Sequence, residues 1–104
     1  MYVLTNNLQG AYGKKVGEFK TKEEALEAAK ENFSEWIANG WIADNPRTGK
    51  APEPSDLAFN KEQTGIFAPA GRYFIYAPRP GYKSSKISAG WPLSKPIYSL
   101  KSIR

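Results

Sequence analysis

The chain has 104 residues, 40% apolar and 13% aromatic, with 15 Lys or Arg against 10 Asp or Glu and a formal net charge of +5 at pH 7. It contains no Cys and no His, which removes thiolate nucleophiles, disulfides, imidazole acid–base chemistry and Cys/His zinc sites together. The length suits one domain whose core can stand without metal or disulfide staples, and the aromatic content argues against wholesale disorder.

The first predicted element is a hairpin. Tyr2 to Thr5 and Tyr12 to Phe19 have strand character, and Asn6-Asn7-Leu8-Gln9-Gly10 between them supplies residues that tolerate a chain reversal. The second arm carries Gly13, Lys14, Lys15 and Gly17, a polar, glycine-rich composition suited to a sheet edge. The start, Met1-Tyr2-Val3-Leu4-Thr5-Asn6-Asn7, has no basic leader and no long apolar run. With the missing cysteines, this gives the expectation of a cytoplasmic protein with no membrane segment.

A helix follows Phe19. Thr21 and Glu24 form a capping box, and Glu23 and Glu24 sit against the positive end of the helix dipole. Leu26, Ala29, Phe33, Trp36 and Ile37 fall on one stripe of a 3.6-residue period, whereas Glu27, Lys30, Glu31 and Glu35 occupy the remainder. The helix is therefore expected to have an aromatic inner face and an acidic outer one, with Asn39-Gly40 as a left-handed stop.

Residues 44–56 collect Pro46, Gly49, Pro52 and Pro54 among polar residues and read as an exposed loop within one fold. Beyond it, Gly65 to Ala68 and Arg72 to Ala77 read as two strands. Tyr73-Phe74-Ile75-Tyr76 is apolar on both faces, so this pair is expected in the middle of the sheet. Tyr82 to Gly90 reads as a basic, serine-rich loop. The last segment, Pro96-Ile97-Tyr98-Ser99-Leu100, suits either a closing strand or, given the spacing of Ile97, Leu100 and Ile103, a short helix. The expected fold is α+β: an antiparallel sheet of four or five strands with one amphipathic helix on one face, in the order β-β-α-loop-β-β and then a strand or short helix. Its expected core holds Leu4, Leu26, Ala29, Phe33, Ile37, Ile66, Phe74 and Ile75. The far face of the sheet then meets water, exposing several tyrosines, or meets a partner.

Charge is distributed unevenly along this order. Residues 1–62 hold eight Lys or Arg and all ten acidic residues, a net of −2, while residues 63–104 hold seven Lys or Arg and no acid, a net of +7. Cations interleaved with aromatics between Arg72 and Lys86 suit phosphate neutralisation together with base stacking. Arg72, Arg79, Lys83 and Lys86 are the candidate cations, Tyr76 and Tyr82 the candidate stacking platforms, and Lys14 and Lys15 belong to a second basic cluster with Lys20 and Lys22. The pattern lacks the aromatic-glycine signature of an RNA-recognition sheet and any helix-turn-helix or zinc module.

Two short matches were weighed on their spacing. Gly17-Glu18-Phe19-Lys20-Thr21-Lys22-Glu23-Glu24-Ala25 resembles the strand-to-helix junction of the plant ethylene-response DNA-binding domain and of integrase arm-binding domains. Those domains need three strands before the helix, and the eighteen residues here leave room for two, so the match reflects the shared capping box. Thr48-Gly49-Lys50 resembles the end of a phosphate loop, but Asp44 stands where the first glycine belongs and Ala51 where Ser or Thr should follow.

The resulting expectation is a non-enzymatic protein with no cofactor and no metal that binds DNA or RNA through its acid-free C-terminal half. The alternative is an inhibitor or adaptor of the phage or mobile-element kind, anti-CRISPR-like, that binds a protein or ribonucleoprotein. Tyr, Trp and Arg serve protein interfaces equally well.

Overall fold

A computed structural model of the chain describes residues 1–7, 14–39, 42–43, 53–67, 75–76 and 96–103, with 42–43 and 75–76 as backbone alone. Its elements are β1 (Tyr2–Asn6), β2 (Lys14–Phe19), α1 (Lys22–Ala38), β3 (Ile42–Ala43), a 3-10 turn (Pro54–Asp56), β4 (Ala58–Phe59), β5 (Gly65–Phe67), β6 (Ile75–Tyr76) and β7 (Tyr98–Ser102). Five strands form one antiparallel sheet in the order β2-β1-β7-β5-β4, and β3 and β6 form a separate antiparallel pair. The α+β fold with one helix packed on the strands is as the sequence predicts.

Helix α1 begins where the capping box places it. Thr21 is extended (φ −126°, ψ 158°), and its Oγ1 accepts a hydrogen bond from the Glu24 amide at 3.1 Å, satisfying one of the amides that a helix start leaves without an intrahelical partner. At the other end Asn39 is right-handed, with φ −83°, so it does not itself make the left-handed stop; Gly40 lies outside the described residues. The inner stripe is Ala25, Ala29, Phe33 and Trp36, all buried. Leu26 and Ile37 lie at the margin, partly buried against the core.

The helix packs on β1 and β2. Beneath it Leu4, Ile66, Tyr98 and Leu100 close the core, joined by Leu57 and Ile97. Leu4, Ala29, Phe33 and Ile66 match the expected core. Phe74 lies outside the described residues, as does the side chain of Ile75.

Two strand assignments differ from expectation. The C-terminal segment is a strand, not a helix, and β7 is the centre of the sheet, between β1 and β5. Alternation decides this: Tyr98 and Leu100 face the core while Ser99 and Lys101 face away, the period of two that a strand requires. The pair expected at the centre is separated instead. β5 stands between β7 and β4, and β6 pairs with β3 outside the five-stranded sheet. Within the loop predicted over 44–56, Pro54–Asp56 form a 3-10 turn that leads to buried Leu57.

Polar groups set the register of the helix on the sheet. Asn6 is a buried polar residue, 1% exposed, and its Nδ2 donates to Asn32 Oδ1 at 2.9 Å. The Tyr98 hydroxyl donates to the same oxygen at 2.7 Å. At the opposite end Lys22 Nζ lies 5.8 Å from the centroid of the Tyr2 ring and donates to Gln63 Oε1 at 2.9 Å. Gln63 is left-handed (φ 58°) in the β4–β5 turn, where Asn60 Oδ1 accepts from the amides of Thr64 and Gly65.

Candidate functional site: the open face of the sheet

The face of the sheet turned away from α1 is built by register. Val3 and Thr5 of β1 stand beside Lys101 and Ser99 of β7 on one side and beside Glu18 and Lys15 of β2 on the other. Ser99 continues to Gly65 of β5, and Phe67 pairs with Ala58 of β4. Lys15, Glu18, Lys101 and Ala58 are exposed; Val3, Thr5, Ser99 and Phe67 are half-buried.

A β-bulge explains why Lys15 and Glu18 share this face. The β1–β2 register shifts between Leu4 and Thr5, so that Leu4 opposes Gly17 while Thr5 opposes Lys15. One extra residue, Val16, is absorbed there and packs partly against the core. Residues three apart then point the same way, and Lys15 Nζ forms an ion pair with Glu18 at 2.5 Å. Exposed on both sides, this pair contributes little to stability but halves the positive charge on the face.

The basic candidates are distributed as follows. Lys14 and Lys15 are exposed on β2, at the sheet edge that the glycine-rich composition predicts. Tyr76 belongs to β6, opposite Ile42. Arg72, Arg79, Tyr82, Lys83 and Lys86 lie outside the described residues. The two basic clusters are not joined by strand adjacency, because β2 neighbours β1 and not β6. Lys101, on the central strand, is the cation of the acid-free half that the described residues place, and composition alone gave no reason to single it out. The open face shows no tyrosine among the described residues: Tyr2 and Tyr98 occupy core-side positions. This departs from the expectation that several tyrosines would line it.

Carboxylates concentrate on the opposite side of the molecule. Glu23, Glu24, Glu27, Glu31 and Glu35 are exposed along α1, with Lys30 Nζ 3.7 Å from Glu27. Among the described residues no group of three or more carboxylates is arranged to hold a metal ion, and no helix is long and apolar enough to cross a membrane. One ionisable group is strongly perturbed: burial, reinforced by the charge of Glu35, pushes the Tyr98 phenol far above its ordinary pKa of 10.0. That phenol lies in the core as a hydrogen-bond donor and has no access to a substrate. No protein-family model, curated protein or solved structure matches this chain significantly, so its function has to be inferred from these residues themselves.

Proposed function

We propose that this protein is a non-enzymatic nucleic-acid binder whose contact region is the acid-free half of the chain, residues 63–104. One observation carries the reading: seven Lys or Arg after Glu62 face no acidic residue in their own segment, whereas five of the ten carboxylates sit on α1. Helix α1 lies across the sheet from the exposed side chain of Lys101. Such a polarity orients the molecule toward a polyanion, because the carboxylates are held on the side away from it. Arg72, Arg79, Lys83 and Lys86 supply phosphate contacts, with Lys101 and Lys15 at the margin of the same footprint. Tyr76 and Tyr82 supply stacking surfaces for unpaired bases.

Fluorescence anisotropy with labelled single- and double-stranded DNA and RNA tests this reading. The native chain binds at least one of these ligands, and Arg79→Glu combined with Lys83→Glu abolishes binding without lowering thermal stability. Failure to bind any of them, together with a protein partner retained from nuclease-treated lysate, replaces this reading with the inhibitor or adaptor alternative.

A further inference from the structure

Edge strand β2 and helix α1 enclose a second surface on the other side of the molecule. β2 pairs with β1 along one side and, among the described residues, with no strand along the other. One row of its backbone N–H and C=O groups therefore faces outward, the template on which an extended segment adds to a sheet. Beside this edge lies an open groove of about 480 Å³, lined by Phe19 at the end of β2 and by Glu23, Glu24, Glu27, Ala28 and Glu31 of α1. Lys22 ties the other flank of α1 to Gln63 in the β4–β5 turn, which leaves the acidic flank on the β2 side.

We propose that this edge docks an extended peptide of a partner protein, with Lys or Arg at alternate positions and uncharged polar residues between them. The peptide pairs main chain to main chain with β2 and seats its cations against Glu23, Glu27 and Glu31. The spacings agree. Glu23, Glu27 and Glu31 recur every four residues, about 6 Å along a helix, and alternate side chains on a strand are about 6.7 Å apart. Alternation is also what the edge selects. Lys15 points to the open face and Lys14 and Lys20 are exposed at the two ends of β2, so a segment that is basic on both faces is repelled where a one-sided one is not. Pairing of two copies through their β2 edges brings two glutamate-lined grooves together, which like-charge repulsion opposes. The occupant is therefore a basic partner rather than a second copy of the chain.

The probe is a fluorescent octapeptide alternating Lys with Thr, compared with a peptide of the same composition whose lysines are contiguous and with an alternating peptide N-methylated at every second amide. The alternating peptide binds most tightly, N-methylation removes binding, and Glu27→Gln with Glu31→Gln weakens it about fivefold, as the loss of two exposed ion pairs predicts. Both substitutions are on the exposed helix face, so the variant keeps its unfolding midpoint and its nucleic-acid affinity is no weaker. Equal binding of the N-methylated peptide, or unchanged affinity in the double variant, overturns the proposal. So does self-association of the native chain that the same two substitutions abolish. None of these outcomes depends on nucleic-acid binding, so the two proposals fail separately.

Discussion

The Tyr98 hydroxyl on the central strand donates a 2.7 Å hydrogen bond to Asn32 Oδ1 on the helix, and Asn6 Nδ2 donates to the same oxygen at 2.9 Å. Three residues separated by up to 92 positions thus meet at one acceptor, which locks α1 to the two strands β1 and β7. Apolar packing alone tolerates sliding of a helix along its stripe; a buried acceptor shared by two donors does not.

Tyr98→Phe removes one donor and leaves Asn32 with Asn6, so it should destabilise the fold by about 1 kcal/mol. Asn32→Ala removes the acceptor from both and should cost about 2 kcal/mol or more, because two buried donors lose their partner. Urea unfolding of the two variants checks the order. Equal costs would show that the two donors do not share the acceptor energetically.

Alkaline pH probes the same phenol. Its pKa in the folded state is raised, above 10.0 in the unfolded chain, by burial and by Glu35. The unfolded state therefore releases this proton first, so the stabilisation is fully present below pH 10 and is lost as pH climbs above it. Of the six tyrosines in the chain, Tyr98 should remain un-ionised in tyrosinate absorbance until the protein unfolds. The Tyr98→Phe variant should lose less stability between neutral and strongly alkaline pH than the native chain.

Gly65 is required by a close approach of two chain segments. A Cβ built there would lie 2.8 Å from Pro96 Cβ and 3.2 Å from a ring carbon of Phe67. Proline is rigid, so the overlap has to be relieved by moving β5 away from the entry to β7. Gly65→Ala should therefore cost about 1–3 kcal/mol in chemical denaturation. A smaller loss would mean that Pro96 yields freely.

Elements specified locally were legible in the sequence. Thr21 and Glu24 announced the helix start, the stripe through Ala29, Phe33 and Trp36 its buried face, and the glycines and lysines around Val16 the sheet edge. Strand order was not legible, because it depends on pairings between residues far apart. Tyr73-Phe74-Ile75-Tyr76 looks central by hydrophobicity, yet β7 occupies the centre since its two neighbours bury Tyr98 and Leu100 between them. The face shared by Lys15 and Glu18 was hidden for a related reason. A bulge at Val16 changes the parity of the strand, and single-sequence alternation carries no sign of it. The site itself was legible only as charge: the absence of acids after Glu62 is plain, while the placement of Lys101 opposite α1 follows from the central position of β7.

The salt dependence of nucleic-acid binding tests the central claim most directly. If residues 63–104 engage phosphates, the logarithm of the binding constant should fall linearly with the logarithm of salt concentration, with a slope of about −0.9 for each phosphate contacted on duplex DNA. Arg79→Glu with Lys83→Glu should flatten that line as affinity is lost. Binding that is indifferent to salt, or a slope unchanged by reversing these two charges, would contradict the account.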